Sequence, residues 1–67
     1  MSEGRAAYHQ AHQARAEAEA QRLWAQREVL QGRWHAWVAL QLYQLTPAPY
    51  ASMVRRALQQ RRDAAGE

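Results

Sequence analysis

Between Leu23 and Leu45 apolar side chains return at steps of three, four, seven and eight, at Leu23, Leu30, Trp34, Trp37 and Leu45. That is the period of one face of an α-helix, not the alternation of a strand. Traced backward, Ala16, Leu23, Leu30 and Trp37 keep a strict seven-residue repeat, with Ala20, Arg27, Trp34 and Gln41 four residues after each. The two rows make an a/d seam of coiled-coil type that Arg27 and Gln41 interrupt. Val29, Leu40 and Tyr43 lie on roughly the opposite side, with Trp24 and Leu42 between. From Val29 onward the helix is therefore apolar in more than one direction.

Upstream, residues 5–22 are Ala, Gln, Glu, Arg and His with Tyr8 as the single large apolar side chain. Such a segment has high helical propensity and little to bury, which predicts a solvated stem. Ser2 is placed to cap it and Glu3 to favour the positive end of its dipole, while Gly4 weakens the first turn, so fraying is expected there. Ala11, Ala14, Ala18 and Ala25 form a small-residue stripe, and Arg15, Glu19 and Arg22 have the spacing of ion pairs along one helix. Gly32 costs about 1 kcal/mol relative to Ala in a helix and marks a possible kink or tight crossing. No glycine or proline pair interrupts the chain before Thr46, so the expectation is one helix over about residues 3–45, roughly 64 Å long.

A turn follows over residues 46–49. Thr46 suits an N-cap and Pro47 the first helical position, with Leu45 and Tyr50 spaced as a hydrophobic staple. Pro49 disfavours the helical conformation at Ala48, so the start can slip onward. A second helix is predicted over about 47–63 on the stripe Tyr50, Met53, Val54, Ala57 and Leu58, with residues 64–67 a disordered tail. The fold class expected is all-α: an antiparallel helical hairpin of one long and one short helix in a single domain.

The second helix, about 25 Å long, covers only the last sixteen or so residues of the first. Folding back places Tyr50 near Leu42, Val54 near Val38, and Leu58 near Trp34 or Leu30. Leu23 and Trp24 are then left uncovered. A chain of 67 residues buries only about 60% of its unfolded surface and is marginal alone. With no cysteine, disulfides and thiolate metal sites are excluded. A homodimer, pairing hairpins into a helical bundle through Leu23, Trp24 and Leu30, is the expected remedy. No apolar run exceeds Trp37–Leu40 and no basic start precedes an apolar segment, so neither a membrane span nor a secretory leader is expected. The default location is cytoplasmic.

Candidate chemistry changes this picture little. His9 and His12 stand one turn apart, and His35 is distant along the predicted helix, so two imidazoles lack a third ligand. Trp34 and Trp37 flank His35, but tryptophans at helical spacing anchor cores and interfaces far more often than they stack ligands. No nucleophile, base and acid arrangement and no glycine-rich loop is present. The expectation is a non-enzyme with no catalytic residues, no cofactor and no metal.

Charge sets the last choice. All nine basic residues are Arg, against six acidic ones, for a formal +3. Arg-only usage suits carboxylate or phosphate recognition, and a GC-rich coding sequence explains it as simply. Arg55, Arg56, Arg61 and Arg62 are the candidates for nucleic-acid binding, although they ring the second helix and make no single ridge. The favoured reading is a protein-binding adaptor or inhibitor that self-associates and docks on a larger regulatory protein. Trp24, Arg27, Arg33, Trp34, Trp37, Leu40 and Tyr43 are its expected contact residues, since aromatic and Arg side chains dominate interface hot spots. Phage- and plasmid-type accessory regulators offer an analogy of size and fold only.

Overall fold

The computed structural model describes residues 3–66, with side chains from Ala6 onward. The expectations for Ser2, for the side chain of Glu3 and for Glu67 lie outside the described residues. Helix α1 spans Glu3–Ala25, the single turn α2 spans Arg27–Leu30, a 3-10 turn covers Gln31–Arg33, α3 spans Trp34–Gln44 and α4 spans Ala48–Ala64. There is no strand among the described residues, and the chain is an all-α helical hairpin as its periodicity predicts. Within that class the long arm differs from expectation, because it does not run unbroken to residue 45.

The break lies at Gln26–Arg33. On a straight helix Trp34 would stand about 16 Å beyond Leu23. Instead its indole Nε1–H donates to the Leu23 carbonyl at 2.8 Å, so the chain has folded back on itself. Gln31 makes the corner with φ 54° and ψ −125°, a conformation that costs a non-glycine residue about 1–3 kcal/mol. Its side chain returns a hydrogen bond to the Glu28 carbonyl at 2.9 Å. Gly32, the residue that hinted at a kink, is not itself in the left-handed region and has open space around a built Cβ. The gain that outweighs the corner is burial: Leu23 and Trp34 are 1% and 2% exposed, together worth about 3–6 kcal/mol. The longest dimension of the molecule is 43 Å, well short of the 64 Å rod.

The core contains Ala16, Ala20, Leu23, Trp34, Val38, Tyr50, Val54, Ala57 and Leu58, drawn from α1, α3 and α4. The solvated-stem expectation for α1 is therefore wrong: Ala16 and Ala20 are buried and α4 packs on them. Small side chains at these points let the two backbones approach, as the alanine stripe suggested, but Ala11, Ala14, Ala18 and Ala25 are the exposed ones. Tyr50, expected near Leu42, lies against α1, its hydroxyl donating to the Arg15 carbonyl at 3.4 Å. Arg61, eleven residues further along α4, donates to the Glu17 carbonyl at 3.3 Å. The two contacts are eleven residues apart on α4 but only two apart on α1, so α4 crosses α1 at a steep angle.

The α4 boundaries follow its turn chemistry. Pro47 is the N-cap residue and Pro49 stands inside the first turn, so the start slips one residue past the Thr46 cap. The Thr46–Pro47 peptide is cis. The predicted stripe holds, with Tyr50, Val54, Ala57 and Leu58 buried and Met53 partly so. At the far end, Ala65 and Gly66 are ordered into a C-cap: the Gly66 N–H donates to the Asp63 carbonyl at 3.1 Å with Gly66 at φ 81°. Glycine tolerates that conformation without penalty, so the tail predicted as disordered caps the helix as far as it is described.

Two stability outcomes follow. Leu23→Ala should destabilise the fold by about 2–4 kcal/mol in urea unfolding, the cost of a cavity in a packed core. Gln31→Gly should instead stabilise it by about 1 kcal/mol, by removing the Cβ that resists a positive φ. A loss on Gln31→Gly would show that the corner is not where the chain turns.

Candidate functional site

Helix α3, WHAWVALQLYQ, has no Asp, Glu, Lys or Arg. One side faces the core with Trp34 and Val38 buried, and Trp37, Gln41 and Leu42 are half-buried along its margins. The other side carries Ala36, Ala39, Leu40 and Tyr43, all exposed and within about 100° of arc at 100° per residue. Leu40 is 53% and Tyr43 86% exposed. Val29 on α2, 68% exposed, is the third large apolar side chain in solvent. A surface helix normally turns charge outward. This one turns two large apolar side chains and two alanines outward, flanked by exposed His35 and Gln44, and Arg33 stands exposed at its start.

The expected contact residues therefore divide. Leu40 and Tyr43 are open, as the two-sided apolar pattern anticipated, and Arg33 is exposed beside them. Trp34 is withdrawn into the core, and Leu23, expected at a dimer interface, is buried beside it. Trp24, Leu30 and Trp37 are half-buried and packed against the core. These corrections share one cause, because the fold-back gives the overhanging side chains an internal partner. Trp24 and Trp34 meet edge to face with ring centroids 5.8 Å apart, the arrangement that their quadrupoles favour. Arg27 lies over Trp24 at 4.1 Å and near Trp34 at 5.5 Å. It lids the aromatic pair and so is not rim charge.

The histidines do not converge. His12 stacks with Tyr8 at 4.2 Å and approaches Tyr50 at 6.3 Å, whereas His9 lines a separate groove with Gln13, Glu17, Met53 and Arg56. His35 packs on Trp34 at 5.3 Å. No group of three His, Asp or Glu is placed for a metal among the described residues.

The basic cluster is also divided. Arg55 and Arg56 are exposed, but Arg61 is drawn to α1, with its guanidinium 3.6 Å from Glu17 Oε2. Arg62 is half-buried, so the four do not form one charged ridge. Elsewhere, Glu19 pairs with Arg22 as the spacing suggested, while Arg15 lies over the Tyr50 ring at 5.0 Å. Burial pushes the Tyr50 phenol above its ordinary 10.0, with Glu19 adding to the rise and Arg15 and Arg22 opposing it.

A raised phenol pKa means that the fold favours the protonated form. That contribution is intact below pH 10 and is lost as pH rises through the raised value. Tyr50→Phe should therefore lessen the fall in stability above about pH 10 when melting temperature is followed against pH. An unchanged alkaline fall would place its cause elsewhere.

No helix among the described residues is long and apolar enough to cross a membrane. The chain matches no protein-family model, no curated protein and no solved structure.

Proposed function

We propose that this chain is a non-enzymatic protein-binding adaptor or inhibitor that presents the outer face of α3 to a groove on a larger regulatory protein. The observation that supports the reading is an α3 without Asp, Glu, Lys or Arg that turns Leu40 and Tyr43 to solvent while Trp34 and Val38 hold its other side in the core. An amphipathic helix docks by laying an apolar face into a groove, reading anchors at i, i+3, i+4 and i+7. Ala36, Leu40 and Tyr43 have those spacings on a helix that the core keeps rigid, so little ordering is required on binding. Arg33 beside them supplies a guanidinium for the polar rim, and Val29 extends the apolar area toward α2.

Nucleic-acid binding is the alternative, resting on Arg55 and Arg56, which are exposed on α4. Two open guanidiniums supply a small share of the phosphate contacts that such binding uses, and the pairing of Arg61 with Glu17 removes a third.

The test compares the proteins retained by the wild-type chain with those retained by Leu40→Asp and by Arg55→Ala/Arg56→Ala, from nuclease-treated lysate. A specific partner should be lost at least tenfold with Leu40→Asp, survive the arginine variant and resist added salt. Retention unchanged by Leu40→Asp, or, in a separate assay on purified DNA, binding of the chain with a steep salt dependence that the arginine variant abolishes, would reject the reading.

A further inference from the structure

The corner that folds α3 back on α1 turns on one residue. Gln26, Leu30, Arg33 and Trp34 keep right-handed helical dihedrals, and Gln31 alone among the described non-glycine residues has a positive φ, 54° with ψ −125°. Returning Gln31 to the helical region would join Arg27–Leu30 to Trp34–Gln44 and remove the strain that its Cβ imposes. The sequence keeps its register across this point: Trp37 follows Leu23 and Leu30, and Ala36 and Tyr43 follow Val29, all at seven-residue steps. On an unbroken helix Val29, Ala36, Leu40 and Tyr43 share about 60° of arc at 100° per residue, although the corner sets Val29 on a separate element.

The contacts that hold α1 in place all cross Gln31. They are the Trp34 indole on the Leu23 carbonyl, the Trp24–Trp34 pair, Tyr50 on Arg15, and Arg61 on Glu17. With Gln31 straightened, α3 leads away from α1 and Trp34 stands beyond the reach of Leu23, so one chain no longer makes them. A second chain opened in the same way supplies the identical set, α1 of each packing on α3 and α4 of the other. The kink at Gln26 is unaffected, so the Leu23 carbonyl keeps its 3.2 Å bond to the Gln26 N–H and stays open to an indole. Leu30 of one chain then lies near Gly32 of the partner subunit, where the two connectors cross. A Cβ built on Gly32 meets nothing within 4 Å, so its small size serves no contact in the closed form; a crossing of two backbones uses it.

We infer that this chain exchanges α1 between two copies, a domain-swapped dimer hinged at Gln31, in which Leu23 of each subunit receives Trp34 of the partner subunit. Short hinges under strain favour such exchange. Closed and exchanged forms share their core contacts, so the balance between them is set by two relieved corners against the freedom lost on pairing. The two halves of a closed chain meet at an effective concentration on the order of millimolar for a short connector. The closed monomer is therefore the form populated at micromolar concentration, and the exchanged dimer is gained as concentration rises toward about 1 mM. The exchange uses the inner side of α3 and is independent of docking on its outer face.

Sedimentation equilibrium on the full chain, from about 10 μM to about 1 mM, tests the exchange. The wild type should pass from monomer to dimer over that range. Gln31→Gly frees the corner and weakens the straight helix, so it should pair at least about a hundredfold less tightly than Gln31→Ala, each dimer carrying two hinges. In a dimer refolded from a mixture of isotope-labelled and unlabelled chains, filtered NMR should show contact between the Trp34 ring of one chain and the Leu23 methyls of the other. A wild type monomeric to about 1 mM, a dimer without that interchain contact, or a Gln31→Gly chain that pairs as tightly as Gln31→Ala overturns the exchange. If a Gln31 variant fails to fold, the interchain contact in the wild-type dimer decides.

Discussion

The indole of Trp34 and the carbonyl of Leu23 hold the molecule in its present form. A buried indole N–H without an acceptor costs a few kcal/mol, and in a continuous helix the Leu23 carbonyl would be occupied by the helix's own ladder. Because α1 stops at Ala25, that carbonyl is one of the last four and is open. It accepts from the Gln26 N–H at 3.2 Å and from Trp34 at 2.8 Å. The end of α1 and the burial of Trp34 are thus mutually required. Once they are in place, α3 is laid beside the core and its opposite face is fixed outward.

This arrangement suits a small chain. Three of the nine core residues among those described are alanine, which bury little area but let helices approach closely. The larger contributions come from Leu23, Trp34, Val54, Leu58 and Tyr50, drawn from α1, α3 and α4. Arg27 extends the Trp24–Trp34 pair by lying over both rings, so a cation in the connector closes the aromatic cluster at the corner. The polar contacts between α1 and α4 stand at its flank: Tyr50 to Arg15, and Arg61 to Glu17.

Much of this was legible in the residues. The 3.6-residue period of the segment from Tyr50 to Leu58 identifies α4 and its buried side, because each apolar residue there has one face to occupy. The two-sided pattern after Val29 anticipated that Leu40 and Tyr43 would stand apart from the core. The corner was not legible, since Gln26–Arg33 contains only residues that a helix accepts and Gly32 gives a weak signal. What decides it is tertiary: two large side chains gain more by burial than Gln31 loses at the turn. For the same reason the sequence could not separate Trp34, which the fold buries, from Leu40, which it leaves out. Alanines 16 and 20 were visible in the seam, but their burial depends on α4 arriving from far along the chain.

The fold-back itself is most directly tested by an intramolecular distance. Spin labels at Ala11 and Gln44, both exposed, would be separated by about 50 Å if residues 3–44 formed one helix. In labelled chains diluted with unlabelled protein, the account predicts a single distance population below the 43 Å longest dimension of the molecule. A dominant population near 50 Å would contradict it.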